Sequence, residues 1–351
     1  MNKITKIILV LLTSVSMSFS VFAGELSVTG SAKASYSIGG VGNSSSKGIG
    51  ISNEFTLGAA GELDNGYTWK YAIDFDPNAN ATTTANDDQQ LVFGTPYGAL
   101  GIYVSEGGLS KEYGYGVGAM GPGNDYAGTM TRHFGDDVGN YENVQYHTPS
   151  GLLPYGISVK VGYVPNLSSS AASDWKSQGT QETELNGKDA SMYQITASPV
   201  DGLDVGASYF ETAGGTISQK PTSGDIYAKY TTGPFTLGAG INFSDAALAT
   251  KEAGVSTYRN KSIGAQFAVN DALSVSFSRD FARRGQNQGI MADGVNGRMK
   301  TSSESEIDYI QAAYTIGGAT LGIAQVSTDN PEYVETADDE KLTLFTIAMA
   351  F

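Results

Sequence analysis

Residues 235–243 read FTLGAGINF, and in this segment apolar side chains alternate with small or polar ones. A period of two is that of a β-strand with one apolar face. The same alternation recurs from residue 25 to the last residue, and turn sequences such as DNG at 64–66, PYG at 96–98 and GG at 317–318 separate the repeats. Such turns join neighbouring strands into hairpins. The pattern therefore predicts an all-β chain.

The order of short and long connections indicates a barrel. Sixteen strand-like segments are joined alternately by seven short turns and eight longer polar connections. A soluble β-sandwich has no reason to keep its long loops at one end, whereas an outer-membrane barrel has short periplasmic turns and long external loops. We predict a transmembrane antiparallel β-barrel of about 16 strands, although fourteen or eighteen would also fit the length.

Aromatic residues on the strands form two sets, as expected for the two interfaces of a membrane. The set beside the short turns and the C-terminus is Tyr67, Trp69, Phe235, Phe267, Tyr314 and Phe351. The set toward the long loops is Tyr36, Phe75, Tyr209, Phe243 and Phe281. Ordinary aromatic enrichment in strands is the alternative. The two sets correspond to the two aromatic girdles of a membrane barrel, so they favour a barrel whose outer face contacts lipid.

The composition argues against an enzyme. Glycine occupies 45 of 351 positions, and charged residues make up 16% of the chain, against about 25% in typical globular proteins. The lack of cysteine excludes disulfides, a thiol nucleophile and thiolate metal ligands, and two histidines leave little for imidazole chemistry. We therefore expect no catalytic activity, no metal and no cofactor.

Residues 1–23 have the features of a secretory signal peptide. Lys3 and Lys6 precede an apolar run at 7–12, and VFA at 21–23 has the small residues of a cleavage site. Cleavage would leave residues 24–351 as the barrel. Removing the two lysines from the 21 basic residues leaves 19 against 36 acidic ones, a formal charge of −17. A nucleic-acid partner is therefore not expected.

The whole chain after the predicted signal peptide, with its sixteen strand-like segments, resembles the Gram-negative trimeric porins. The first strand begins as GELSVTG at 24–30, the second ends in GELDNGY at 61–67, and the last strand ends on an aromatic residue. In that last strand, the residues that resemble the family's signal for the outer-membrane assembly machinery are Phe345, Ile347, Met349 and Phe351. The resemblance implies a homotrimeric channel in the bacterial outer membrane, in contact with membrane lipid, for small hydrophilic solutes.

Residues 106–140 form the longest connection, with ten glycines and no periodic pattern. A long connection without secondary structure is usually functional or disordered. The resemblance implies that this one folds into the pore and narrows it, whereas an exposed mobile loop is the alternative. Its charged residues are Glu106, Lys111, Glu112, Asp125, Arg132, Asp136 and Asp137.

Charged residues on the inward parity of the strands would line the pore wall. They are Lys33, Glu54, Lys70, Asp74, Lys160 and Lys229. The resemblance implies that loop acids and wall bases create a transverse field, whereas simple solvated lumen charge is the alternative. The chain lacks the early-strand arginine cluster and the Pro-Glu-Phe-Gly-Gly loop stretch of the best-known enteric members. A strong field is therefore not expected.

These features predict passive diffusion with a weak preference for cations, because acids outnumber bases in the long connection and in the last one. A channel selective for sugars or peptides is the main alternative and would need stacked lumen aromatics, for which Tyr103, Tyr227 and Tyr309 have the right parity. A barrel enzyme and a secreted adhesin are further alternatives. The GVGAMG segment at 116–121 matches a dinucleotide-binding pattern, but proline and glycine follow it where that pattern needs a helix.

Overall fold

The computed structural model describes residues 25–41, 46–75, 88–121, 134–167, 189–213, 220–246, 253–288, 300–334 and 337–351. The signal peptide predicted at residues 1–23 lies outside them. The strands in the described part of the chain are β1 (Glu25–Val41), β2 (Ser46–Glu62), β3 (Thr68–Phe75), β4 (Asp88–Thr95), β5 (Gly98–Val104), β6 (Asn143–His147), β7 (Ser158–Val164), β8 (Asp189–Val200), β9 (Leu203–Ala213), β10 (Thr222–Thr232), β11 (Phe235–Asp245), β12 (Ala253–Ala268), β13 (Leu273–Gln288), β14 (Lys300–Ile316), β15 (Ala319–Asp329) and β16 (Glu340–Ala350).

These strands form one closed antiparallel barrel. Each pairs with its neighbours in the sequence, and β1 also pairs with β16. The predicted count of sixteen strands and the predicted fold class are therefore confirmed. No helix among the described residues is both long and apolar enough to cross a membrane.

The short turns lie where the sequence predicted them, and two glycines show why. Gly317 and Gly318 join β14 to β15 with φ values of 54° and 89°. A tight hairpin turn with positive φ at both central positions matches the twist of the paired strands, and glycine adopts that conformation without steric cost. This tight turn sets the register between the end of β14 and the start of β15.

The strand register divides the barrel surface into two faces. The outward face carries exposed apolar side chains, such as Leu237 and Ile241 on β11, which are 53% and 54% exposed. Aromatic rings adjoin one another on this face: Phe235 lies 4.9 Å from Phe267, and Tyr209 lies 6.4 Å from Phe243 between ring centroids. The lumen face carries small and polar residues and contacts residues 106–121 of the chain. This sorting suits a barrel with lipid outside and water inside.

The barrel closes at the C-terminal residue. The Gly30 amide donates to the Phe351 carbonyl at 2.8 Å, and the Phe351 amide donates back to the Gly30 carbonyl at 2.9 Å. A Cβ atom at residue 30 would lie 2.9 Å from the Phe351 ring. Glycine is therefore needed here so that the terminal ring can lie across β1.

Deleting Phe351 should destabilise the barrel more than Phe351→Ala does. The deletion removes the ring and both backbone hydrogen bonds, each worth about 0.5–1.5 kcal/mol, whereas the substitution removes the ring alone. The measurement is the temperature at which the refolded protein loses its compact mobility on SDS gels. Met349→Ala, which leaves the Gly30 pair intact, is the control. Equal melting of the deletion and the alanine variant would contradict a role for the backbone pair.

Candidate functional site

The described part of the connection between β5 and β6 lies against the lumen face of the barrel. We call its described residues, 106–121 and 134–140, the lumen loop. At its base on β6, the Asn143 side-chain amide donates to the carbonyls of Glu106 at 3.1 Å and Val138 at 2.9 Å. One buried side chain therefore joins the two ends of the loop. The Gln145 amide donates to Gly107 beside it.

Asp137 ties the outgoing and returning segments of the loop together. Its carboxylate accepts hydrogen bonds from the backbone amides of Leu109 at 3.0 Å and Gly139 at 2.7 Å, and also from the amide of Ser110. Asp136 accepts from the Asn140 side chain at 2.8 Å. Because these carboxylates bind the loop's own donors, their first role is to hold its shape.

Asp225 on β10 fixes the loop to the barrel wall. Its carboxylate accepts from the Ser110 hydroxyl at 3.0 Å and from the Lys111 amide at 3.2 Å. The Ser208 hydroxyl on β9 also donates to it and accepts from the Lys111 amide at 3.2 Å. Hydrogen bonds to a carboxylate are stronger than neutral ones. Residues 110 and 111 are thus attached to two wall strands.

The loop continues across the wall to β14. The Ala119 amide donates to the Ser276 hydroxyl on β13 at 2.7 Å. On β14 the Gln311 side chain accepts from the Met120 amide at 2.8 Å and donates to the Gly121 carbonyl at 3.1 Å. The segment that matched a dinucleotide pattern therefore lies along the wall, bonded to strands 150 or more residues away in sequence.

Apolar packing fills the space under the loop. Tyr115, Val117 and Tyr227 form one buried cluster, and Met120 packs against another that contains Tyr309. A Cβ atom added at Gly238 on β11 would lie 2.1 Å from the Tyr115 carbonyl oxygen. The backbone of the loop therefore approaches the wall where the wall has no side chain.

The predicted wall charges face the lumen in two groups. Lys33, Glu54, Lys70 and Asp74 stand on β1–β3 at lumen-facing register positions. Lys160 and Lys229 stand on β7 and β10, the strands that border the loop, and Lys229 forms an ion pair with Asp204 at 3.4 Å.

Among the predicted loop charges, Glu112 accepts from the Ser110 hydroxyl at 2.7 Å. Asp125 and Arg132 lie outside the described residues. On the outward face of β16, the predicted assembly residues Phe345, Ile347, Met349 and Phe351 are exposed.

A sequence model described as Gram-negative porin matches residues 7–330. The chain belongs to this family. It accordingly resides in the bacterial outer membrane, as the sequence analysis expected.

Solved porin structures have the same fold. An anion-selective porin from Comamonas acidovorans is 12% identical, with 93% of this chain and 100% of that chain covered and a TM-score of 0.64. The trimer form of in-vitro folded OmpT from Vibrio cholerae is 11% identical, with 94% and 100% covered and a TM-score of 0.62. OmpF of Salmonella typhi in complex with daunomycin is 14% identical, with 94% and 98% covered and a TM-score of 0.62. A sequence comparison with curated proteins found no match.

The sequence analysis missed the wall residues that hold the loop of this porin. Asp225, Ser276 and Gln311 look like ordinary polar lumen residues, because nothing in the neighbouring sequence marks their partners. A signal does exist in the glycines at lumen-facing positions. Added Cβ atoms at Gly238, Gly264 and Gly322 would contact the loop residues Tyr115, Val117 and Met120, respectively. These glycines follow the path of the loop along the wall.

A disulfide should form between positions 119 and 276 in the double variant Ala119→Cys, Ser276→Cys without changing the channel. The natural chain has no cysteine, and a disulfide requires Cα atoms within about 7 Å. We expect efficient cross-linking of the refolded protein and the same single-channel conductance before and after oxidation.

The matched control pairs Ala119→Cys with Ser52→Cys, which lies on the lumen face of β2. This pair should stay reduced under the same oxidant. Cross-linking of the control, or failure of the first pair to cross-link, would contradict the position of the loop.

Proposed function

We propose that this porin is a passive diffusion channel for small hydrophilic solutes, with a bore narrowed by the lumen loop. The observation that carries the proposal is the attachment of the loop to β6, β10 and β14 on the lumen face. A sixteen-stranded barrel encloses an aqueous channel wider than a small solute. A segment fixed inside the barrel reduces that bore, so solutes are sorted by size.

The loop is built to stay in place. Its three attachments use buried or half-buried side chains with several hydrogen bonds each, and apolar clusters lie between them. A loop that swung freely would give no fixed size limit. The attachments therefore support a permanent constriction and count against the alternative of an exposed mobile loop.

A weak cation preference is the second part of the proposal. The formal charge of the chain is negative, but charges farther than about 8–10 Å from the solute path are screened at ordinary salt. Near the path, Glu54 and Asp74 on β2 and β3 compete with Lys33 and Lys70 on the same wall. Such a mixed wall gives a small selectivity that falls as salt rises.

The alternative of a sugar- or peptide-selective channel loses support from the tyrosines that raised it. Tyr103 and Tyr227 are 5% and 6% exposed, and Tyr309 is 0% exposed. The second and third lie in the clusters under the loop. Rings that are covered by protein cannot present a stacking surface to a passing solute. We propose a general rather than a substrate-selective channel, with no catalytic step.

A homotrimer is the assembly we propose. One similar structure is described as a trimer form, and the outward face of β1 carries small residues at Ala32 and Ala34. Small side chains let a second barrel approach closely, as they do between membrane helices. The outer-membrane assembly machinery and surrounding lipid complete the expected partners.

Deleting residues 119–130 should widen the channel. This deletion removes the attachments to Ser276 and Gln311. We expect a higher single-channel conductance and passage of larger neutral sugars in a liposome-swelling assay. A deletion of equal length in the connection between β7 and β8, at residues 171–182, is the control and should leave both unchanged. Unchanged conductance and size limit in a correctly assembled 119–130 variant would overturn the proposal.

The charged side chains on the lumen face of β1–β3 should set the cation preference. The Lys33→Gln, Lys70→Gln variant should move the reversal potential in a KCl gradient further toward cations, and Glu54→Gln, Asp74→Asn should move it the opposite way. The two shifts should shrink as salt rises, because screening shortens the range of the wall charges. Anion preference of the native channel would contradict this assignment.

A further inference from the structure

The connection that follows β15 turns onto the inner wall of the barrel. A short 3₁₀ helix spans Pro331–Tyr333, and the Tyr333 amide donates to the Asn330 carbonyl at 3.0 Å. Just before this helix, the Asp329 carbonyl accepts a hydrogen bond of 3.0 Å from the hydroxyl of Ser305, a buried residue on the lumen face of β14. The connection therefore begins against the lumen side of the strands.

The Tyr333 side chain packs against two lumen-facing residues of β12 and β13. The Arg284 guanidinium lies 5.0 Å from the centroid of its ring, and the Tyr258 ring lies 5.8 Å away between centroids. Tyr258 and Arg284 are direct register partners, and Arg284 has the strand parity of Ser276, which contacts the lumen loop. A guanidinium within about 6 Å of an aromatic ring is attracted to it. These contacts leave Tyr333 only 2% exposed.

Two residues of this turn have backbone conformations that L-amino acids rarely adopt. Asn330 has a φ of 51° and Tyr333 a φ of 59°. Asparagine tolerates the left-handed region, but a bulky aromatic residue there is a genuine outlier. Such strain persists only where the surroundings determine the conformation, and it is concentrated at functional sites. Here the contacts of the Tyr333 ring with Arg284 and Tyr258 hold the strained backbone in place.

This aromatic contact lies at a different height from the lumen loop. Arg284 is twelve residues beyond the short turn that ends at Ala272, so it stands toward the long connections at the external end. The lumen loop contacts the same strand at Ser276. Eight residues of strand cover about 26 Å and, at a tilt of about 40°, about 20 Å of height. A solute that enters from outside therefore passes Tyr333 before it reaches the contact at Ser276.

We propose that Tyr333, held by Arg284 and Tyr258, forms a second constriction at the external mouth of the pore, in series with the lumen loop. Its ring and the turn that carries it occupy part of the mouth and limit the size of solutes that enter from outside. Arg284 is a positioning residue, because its guanidinium acts on the solute path through the ring that it holds. The proposal requires a conducting channel but does not require the lumen loop to be its narrowest point.

The test is single-channel recording of the refolded protein with neutral polyethylene glycols added to one side at a time. A polymer that enters the pore displaces electrolyte and lowers the conductance. We first find the smallest polymer that has no effect on the native channel from the external side. In Tyr333→Ala this polymer should enter from the external side and lower the conductance. Its effect from the periplasmic side should equal that in the native channel, because the lumen loop is unchanged.

Conservative and neighbouring variants separate the ring contact from a general loss of structure. Tyr333→Phe keeps the ring and should exclude the same polymer as the native channel. Val334→Ala is the matched control, since Val334 is the next residue and is 44% exposed; it should also behave like the native protein. Arg284→Ala should admit the polymer as Tyr333→Ala does. The double variant should be no more permeable than either single one, because both substitutions remove the same contact.

Three results would overturn the proposal. One is unchanged polymer exclusion in Tyr333→Ala while its compact gel mobility shows that the barrel is folded. Another is entry of the polymer into Tyr333→Phe or Val334→Ala, which would make the ring contact irrelevant. The third is a changed size limit from both sides in Tyr333→Ala, which would mean that Tyr333 supports the lumen loop instead of narrowing the mouth. Failure of the 119–130 deletion to widen the pore would defeat the lumen-loop constriction but would leave the one-sided effect of Tyr333→Ala intact.

Discussion

Backbone hydrogen bonding in the bilayer is the constraint on which the rest of this structure depends. Lipid offers no partner for an open strand edge, so a sheet that crosses the membrane must close on itself. Here the closure is the β1–β16 pairing, which ends on the two Gly30–Phe351 hydrogen bonds. Closure gives every strand one lipid-facing and one lumen-facing side. The alternation in the sequence is the direct result.

Closure also creates the water-filled lumen that the lumen loop narrows. Its contact with the wall is close because several lumen-facing positions are glycine, and the loop backbone takes the place of the missing side chains. At Gly264 an added Cβ would be 2.8 Å from Val117, and at Gly322 it would be 2.6 Å from Met120. The loop's own amides then find acceptors on the wall, such as Ser276 and Gln311. A segment without regular secondary structure can be buried here because its polar groups are satisfied.

How well a feature can be predicted from the sequence depends on how far apart in the chain its interacting residues lie. Strands and turns depend on local patterns, so residues 235–243 and 317–318 could be assigned from sequence, as could the lumen parity of Lys33 and Lys70. The attachments of the loop depend on pairs far apart in the chain, and 114 residues separate Lys111 from Asp225. Local parity also predicts the outward position of Arg279, between Phe277 and Phe281 on β13.

A count of charges is therefore a poor guide to the field inside this barrel. Within the long connection acids outnumber bases, yet Asp137 accepts three backbone amides and Asp136 accepts from Asn140. Oriented N–H dipoles oppose the potential of a carboxylate that they bond. The loop acids thus act on solutes less than their number implies. Asp225 is similarly occupied in holding the loop. The carboxylates of the β2 and β3 wall, which face the lumen away from these attachments, then have the larger share in setting ion preference.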